Sequence, residues 1–590
     1  MAPDIVPLTP QSLGMLLGRV AHEWETRKRI FDLPTGRIYD VSSGPDLTAD
    51  FLGRQAATPI GPAAGPHSQL AENIVLSWLG GSRIFELKTV QVLDDLEIGR
   101  PCIDMETVGY NIEWSQELRV AESLDEYVKA WMIIEILSRW DPLAPFLGGD
   151  PGPHVFDLSV GYDLAGISTP KVAAFIDGLI DATDTIERLR GEIPDPFGGF
   201  RDHAFPTRVA DTVTLSTFHG CPPDEIESIT KHLMTRHGLD VVVKLNPTLL
   251  GFDRVHGLVR GTLGYDELRL RRGDFDADLQ FDRAITLIGE LQRFAAEHGR
   301  RFGIKLTNTL VVENHRQVMP DDTMYLSGPP LHVVAMTLLG ELDGALPGLL
   351  RLEGRSDAPV QVSFSAGISK ENLPAAAALG LTPITICSDL LKPGGYGRLK
   401  PMLDALGREM ADGGVGSLQG WVAAAGEGAV TRYVARLHDP DENGPYTRDG
   451  TAKLPRAVDN DLEMWGCVAC NFCVTVCPND AFFRVPTPDG LGLEGRQQYV
   501  VIVELCNECG NCMTFCPEVG DPAVVKPRLY TDPERFADAG RAGFLVSRAD
   551  GSARVESAPG GEGDGEILES LLNAKEGLPL RLDTLLEAAP

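Results

Sequence analysis

The sequence predicts an α/β chain in which eight strand–helix units close as a (β/α)8 TIM barrel, followed by a small α+β module built on two cysteine runs. Three observations carry this. Eight short apolar segments recur between residues 57 and 388, each ending in a polar or glycine-rich tip, and most precede amphipathic helical sequence such as Asp224–His237 or Asp278–His298. Eight of the eleven cysteines fall between 467 and 516. Between these blocks lie Gly413-Gly414 and the polar run Asp439-Pro-Asp-Glu-Asn-Gly-Pro445, which read as a boundary. A doubly wound sheet is the runner-up fold, because periodicity alone does not close a barrel.

In chain order, residues 1–50 form an N-terminal helical extension, with Leu13, Leu16, Leu17, Val20 and Trp24 on one helix face. The barrel is expected over 51–412. Its strands are Ala57–Gly65, Ile84–Thr89, Val155–Val160, Val213–Thr217, Val241–Asn246, Phe302–Asn308, Val360–Gly367 and Ile384–Ser388. Residues 413–460 read as a linker with a single short helix around Trp421 to Leu437, and 461–530 as the cysteine module. Residues 531–590 read as a C-terminal tail, with the glycine-rich stretch 558–565 flexible.

Both cysteine runs follow C-x2-C-x2-C-x3-C-P: Cys467, Cys470, Cys473 and Cys477 before Pro478, then Cys506, Cys509, Cys512 and Cys516 before Pro517. This is the ligand run of a ferredoxin-type module with two [4Fe–4S] clusters, in which the fourth cysteine of each run ligates the other cluster. On that rule Cys467, Cys470, Cys473 and Cys516 hold one cluster, and Cys506, Cys509, Cys512 and Cys477 the other. Zinc sites usually pair two C-x2-C arms or add histidine, and no histidine follows Asn471. A disulfide framework does not suit a long chain without a secretory signal.

With 590 residues the chain is too long for a ferredoxin alone. Its net charge of −31 argues against nucleic acid, which needs basic patches, suits solubility first, and secondly suits docking to a basic face on a redox partner. No apolar run approaches a membrane span and the N-terminus shows no export leader, so a cytoplasmic protein without membrane contact is expected. The oligomeric state is left open, a homo-oligomer included.

Active sites of such barrels lie at the C-terminal strand ends. There the sequence places Ala64 and Gly65, Lys88 and Thr89, Ser159, Ser216 with His219 and Cys221, Lys244 with Asn246, and Asn308 with Thr309. Ser365-Ala-Gly367 and Ser388-Asp389 end the last two strands, where barrels commonly bind phosphate. A lysine carried into a largely buried site demands a partner. A flavin ring with negative charge at N1/C2=O is one such partner for Lys88 and Lys244; an ion pair with a carboxylate such as Glu86 is the plain alternative.

Residues 50–410 resemble the flavin-binding barrel of dihydropyrimidine and dihydroorotate dehydrogenases, and more closely the N-terminal part of bacterial selenate reductase subunit-like proteins. The carrying motifs are Ala57-Thr-Pro-Ile-Gly-Pro-Ala-Ala-Gly-Pro-His67, Phe85-Glu-Leu-Lys-Thr-Val90, Leu215-Ser-Thr-Phe-His-Gly-Cys-Pro-Pro223, Val243-Lys-Leu-Asn-Pro-Thr-Leu-Leu-Gly251, Lys305-Leu-Thr-Asn-Thr309 and Asp389-Leu-Leu-Lys-Pro-Gly-Gly-Tyr396. The resemblance implies FMN, with Lys88, Lys244 and Asn308 at the isoalloxazine and Gly367 and Ser388 at the phosphate; Ala64, Gly65, Thr89 and Asn246 complete the expected cofactor site. It also implies a general acid at Cys221, with His219 beside it. A buried spectator thiol is the alternative for Cys221, whereas its place near a helix N-terminus favours thiolate. Cys102 and Cys387 read as packing residues.

The expected function is an iron–sulfur flavoprotein oxidoreductase, dihydropyrimidine dehydrogenase-like or selenate reductase-like, acting on a small-molecule substrate. Analogy makes that substrate a purine- or pyrimidine-like heterocycle. No arginine cluster at the strand tips suits an oxyanion. No Gly-x-Gly-x-x-Gly turn is read between a strand and a helix of a nucleotide-binding unit, Gly490-Leu-Gly-Leu-Glu-Gly495 lying inside the cysteine module, so the expected electron donor is a FAD- and NAD(P)H-dependent reductase subunit or a ferredoxin. An electron-transfer subunit with a non-catalytic barrel is the alternative.

Overall fold

A computed structural model describes residues 8–574 except 218, 541, 550, 551 and 559. Eight parallel strands form the barrel: β1 (Ile60–Pro62), β2 (Ile84–Glu86), β3 (Val155–Val160), β4 (Ala210–Ser216), β5 (Asp240–Leu245), β6 (Phe302–Leu306), β7 (Val360–Phe364) and β8 (Ile384–Ile386). Neighbours pair in register, with Val243 of β5 opposite Leu215 of β4 and Ile304 of β6. β8 pairs with β1, and the ring closes where the Arg83 N–H donates to the Ile60 carbonyl at 2.9 Å. A Cβ on Gly61 would lie 1.5 Å from the Ile84 oxygen, so only glycine lets β1 and β2 approach this closely. The alternation therefore closes as a barrel, not as a doubly wound sheet.

Helix α1 (Leu13–Arg27) precedes the barrel and buries Leu13, Leu16, Leu17, Val20 and Trp24, the face read from their spacing. A principal helix then follows each strand, with shorter helices in the loops: α2 (Ala71–Leu79), α3 (Val120–Ser138), α4 (Pro170–Ile180), α5 (Pro223–Arg236), α6 (Phe281–Glu297), α7 (Pro329–Ala345), α8 (Leu373–Ala378) and α9 (Leu399–Asp412).

The barrel interior is layered. At the bottom, a hairpin (Ala49–Phe51 with Arg54–Ala56) presents Phe51 to Ile84, Val155 and Val242. Above it lies a buried polar layer of Glu86, Asp157, Lys305 and Thr385. Above that the interior opens into a cavity. Four short strands from the loops after β2 and β6 (Ile103–Asp104, Gly109–Asn111, Leu310–Glu313 and Thr323–Ser327) pair as a cap sheet beside the mouth. The sequence reading did not contain this cap; two- to five-residue strands within loops leave no periodicity to read.

Two expectations are corrected. Residues 413–460 are not a free linker with one helix: helices Leu418–Ala425 and Ala429–His438 pack on the barrel. The Trp421 indole N–H donates to the Pro374 carbonyl at 2.9 Å, and the Tyr433 hydroxyl meets His332 Nε2 at 2.9 Å. Nor do residues 531–574 form a tail. They continue the cluster module, a five-stranded sheet in the order β9 (Phe482–Pro486), β10 (Gln497–Ile502), β11 (Arg528–Tyr530), β12 (Phe544–Ala549) and β13 (Ser552–Ser557). Its helices include α10 (Phe472–Val476), α11 (Asn511–Phe515) and α12 (Glu562–Asn573). Helix α12 begins inside the stretch expected to be flexible, because Leu568, Leu571 and Leu572 give it an apolar face to bury. Residues 575–590 of the expected tail lie outside the described residues.

The module sits against the C-terminal mouth of the barrel. The Cys102 and Ile103 N–H groups donate to the Cys509 carbonyl at 3.1 and 3.0 Å. The Asn511 amide donates to Leu391 and Val476 carbonyls at 2.8 Å each, and the Tyr396 hydroxyl to the Pro478 carbonyl at 3.1 Å. From α1, Arg19 reaches Asp480 at 2.7 Å in a buried ion pair. No helix among the described residues is long and apolar enough to cross a membrane.

Candidate active site and cluster centres

A cavity of about 620 Å³ occupies the barrel mouth, within the range of roughly 300–1,000 Å³ usual for bound cofactors and ligands. Ala64, Gly65, Lys88, Thr89, Lys244, Asn308, Gly367 and Ser388 all line it, brought together from the ends of β1, β2, β5, β6, β7 and β8. Asn246 does not; it stands behind Asn308 and accepts from the Asn308 amide at 2.8 Å.

The two lysines differ. The Lys88 ammonium donates to the Trp114 carbonyl at 2.7 Å and lies 4.4 Å from the Trp114 ring centroid. Burial pulls its pKa down to about 8, against the nearby charge of Glu117. Among the described residues no hydrogen bond or ion pair holds the Lys244 ammonium, which faces the cavity. The expected alternative partner, Glu86, is taken by Lys305 from β6, in a pair whose side chains are each 1% exposed. Lys305 also donates to Thr385 Oγ1 at 2.9 Å, and the Ala64 N–H donates to Glu86 at 3.0 Å. Burial opposes ionisation of Glu86, but Lys305 and then Lys244 hold its pKa below the ordinary carboxylate value. Asp157 accepts from Thr212 and Thr214 at 2.6 Å each, and burial raises its pKa to about 7.

Cys221 and His219 lie outside the cavity lining. Cys221 is buried, and burial followed by the charges of Glu225 and Asp278 pushes its thiol up to about 12. The thiolate expected from its place before α5 is thus disfavoured: two carboxylates and desolvation outweigh one helix terminus. His219 Nδ1 meets Asp278 at 3.1 Å, and its ring centroid lies 5.5 Å from that of Tyr325. Burial opposes its protonation, but Asp278 and Glu113 raise its pKa above the ordinary histidine value. Cys387, read as a packing residue, lines the cavity beside Gly65; Cys102 packs at the cluster module. The cap contributes Ile103, Tyr110, Glu113 and Trp114, which carried no signal in the sequence.

The eight cluster cysteines gather in two sets. Cys467, Cys470, Cys473 and Cys516 surround one small hollow, joining the fourth cysteine of the second run to the first three of the first. Cys477 stands instead close enough to Cys506, Cys509 and Cys512 to perturb their titration. That is the crossed arrangement. The spacing of the two runs, C-x2-C-x2-C-x3-C-P, is that of four-iron clusters. Cys470 is exposed, whereas Cys506, Cys509 and Cys512 are buried against the barrel. The first set is therefore the outer centre and the second the inner one.

A TIM barrel with an open mouth, joined to a module carrying two four-cysteine sets, defines the class: a barrel protein with a 4Fe–4S dicluster-type module. Residues 31–428 match the family model of the N-terminal TIM-barrel domain of the oxidoreductase YgfK, and residues 466–519 match the 4Fe–4S dicluster domain. The chain is 35% identical over 526 residues to the YgfK protein of Escherichia coli strain K12, and equally to its counterpart in Escherichia coli O157:H7. The chain belongs to this YgfK oxidoreductase family. The matches cover 84% of this chain and 47% of each relative, so the chain spans about half the length of the curated relatives it matches.

Proposed function

We propose that this chain is an FMN-dependent oxidoreductase. Electrons from an external donor enter at the outer [4Fe–4S] cluster, pass through the inner one to FMN in the barrel mouth, and leave to a conjugated nitrogen heterocycle, purine- or pyrimidine-like. One observation carries this reading: Ile103 lines the cavity while its N–H, with that of Cys102, is bonded to the carbonyl of the inner-cluster residue Cys509. The buried centre and the cavity thus share one peptide segment, and the exposed Cys470 centre faces outward.

The residues present fit FMN. The unpartnered Lys244 ammonium and the Lys88 ammonium supply positive charge where an isoalloxazine carries negative charge at N1/C2=O, and Asn308 supplies an amide. The loops at Gly367 and Ser388 lie where the phosphate would sit. When bound, FMN collects single electrons from the clusters and passes them on as a hydride. The chain's own residues orient the ring and hold the proton that accompanies the hydride. Neither His219 nor Cys221 lines the cavity; of the two, His219 suits a proton donor better, because Asp278 favours its charged form, whereas burial with Glu225 and Asp278 holds the proton on the Cys221 thiol. A FAD- and NAD(P)H-dependent reductase or a ferredoxin would serve as donor at Cys470.

The test is anaerobic purification followed by rapid mixing with reduced ferredoxin and then with a panel of purines and pyrimidines. Bound FMN that is reduced after the clusters and reoxidised by one heterocycle is the expected result. Clusters that turn over in protein carrying no flavin would overturn it and leave the barrel as a scaffold.

A further inference from the structure

A second cavity, of about 590 Å³, opens where three parts of the chain meet, and it shares no lining residue with the barrel mouth. Its walls come from the segment after α1, from the loops after β7 and β8, and from α10 and Arg484 of β9 in the cluster module. The motif Asp389–Tyr396 belongs chiefly here. Asp389, Pro393, Gly394 and Tyr396 line this cavity, and only Leu391 lines the barrel mouth.

Five cations line it: Arg29, Arg37, Lys370, Arg398 and Arg484. Its carboxylates are already engaged. Asp389 holds Arg398 in a bidentate pair at 2.8 and 3.0 Å, and Asp480 holds Arg19 at 2.7 Å. Asp32 lies 3.8 Å from both Arg19 and Arg29, and Glu371 accepts from the Ser369 hydroxyl at 2.8 Å. Among the described residues no carboxylate lies within ion-pair distance of Arg37, Lys370 or Arg484. The Arg37 guanidinium reaches only the Gly397 carbonyl, at 3.3 Å.

In a chain of net charge −31, three such cations on one concave surface call for an anion from outside it. Guanidinium forks match phosphate oxygens two at a time. A lone phosphate would leave most of the 590 Å³ empty. Phe31, Leu33, Leu76, Tyr396 and Met402 give that remaining space an apolar side, which suits a flat, less polar body attached to the phosphate. We propose that this cavity binds a phosphate-bearing nucleotide, with Arg37, Lys370 and Arg484 on the phosphates and the apolar side against the base.

Cys477 of the inner set lines the same cavity, and Asn471 lines both it and the hollow of the outer set. Bound phosphates therefore place negative charge beside the inner centre, where it opposes the arrival of an electron. Occupancy lowers the potential of that centre. This consequence rests on the cluster assignment; the binding does not, and neither depends on flavin in the barrel.

The test titrates oxidised holoprotein with ADP, UDP, pyrophosphate and adenosine by isothermal calorimetry. A nucleotide should bind at least about tenfold more tightly than pyrophosphate or adenosine, more weakly as salt rises, and without displacing FMN. Arg484→Gln and Lys370→Gln should each weaken it by roughly tenfold to a hundredfold, the worth of a charge-assisted hydrogen bond. Neither side chain makes an ion pair, so both variants should keep the wild-type iron content. Reductive titration followed by electron paramagnetic resonance should place the inner centre at lower potential with nucleotide than without; an unchanged potential would overturn the link to that centre. No nucleotide binding at millimolar concentration, wild-type affinity in both variants, or competition with FMN would each overturn the site. Pyrophosphate bound as tightly as ADP would refute the nucleotide and assign the cavity to inorganic phosphate. Protein without FMN would refute the proposed function and leave these titrations untouched.

Discussion

Replacing Lys305 by Met should destabilise the barrel strongly and in a pH-dependent way. Lys305 is the charge partner of Glu86, and both side chains are 1% exposed. Without it, Glu86 keeps the Ala64 N–H at 3.0 Å on one oxygen, while the other has no hydrogen-bond partner among the described residues. An uncompensated buried carboxylate costs about 3–5 kcal/mol, which corresponds to roughly 10²- to 10⁴-fold faster exchange of the β2 and β6 amides if they open with the barrel. The sign with pH follows from linkage. In the wild type the Glu86 pKa is held low, so its contribution is present above the ordinary carboxylate value and is lost as pH falls below it. In the variant burial is opposed only by the weaker pull of Lys244 and the Ala64 N–H, so that pKa rises and the folded state prefers a proton the unfolded chain releases. The deficit should therefore be largest near pH 8 and shrink toward pH 4. Hydrogen exchange with mass spectrometry at several pH values reads both effects, and adding Glu86→Gln should restore most of the protection. Exchange within tenfold of wild type at pH 8 in the single variant would refute the reasoning, because Glu86 would then not depend on Lys305.

Anaerobically purified protein should contain about eight iron atoms, and Cys477→Ser should perturb the inner centre with Cys506, Cys509 and Cys512; loss confined to the outer centre in electron paramagnetic resonance would reverse the assignment. Cys470→Ser should instead slow reduction by an external donor while leaving the inner centre reducible by dithionite. Lys244→Met should weaken FMN binding by tenfold or more and shift its potential, measured by equilibrium dialysis and spectroelectrochemistry; unchanged values would return Lys244 to a structural role. Asp157, whose pKa of about 7 lies well above its usual 3.8, should make the wild-type barrel lose stability as pH rises from about 4 to 7, by up to about 4 kcal/mol. Asp157→Asn should flatten that slope, and an unchanged slope would exclude Asp157 as its source.

The parts legible in the sequence are those whose chemistry repeats. Eight strands ending in polar tips were readable because each strand, covered on both faces, is a short continuous apolar run, and the cluster ligands because iron–sulfur geometry fixes cysteine spacing. Lys88, Lys244, Asn308 and Gly367 were readable as strand tips and do meet at one cavity. What stayed hidden depends on partners distant in sequence. Lys305 lies inside a quoted motif, yet nothing local says that it, rather than Lys88 or Lys244, pairs with Glu86 across the barrel. Asp278 looked like the first residue of a helix, but its carboxylate turns toward His219, Asn246 and Thr248, all at least 30 residues earlier. At Cys221 the helix terminus that favours thiolate is visible in the sequence, whereas burial and then Glu225 and Asp278, which oppose it, act through the fold. Local spacing thus reports which atoms can bind a cofactor. Which proton His219 and Cys221 hold is set by burial and by carboxylates that the fold brings beside them.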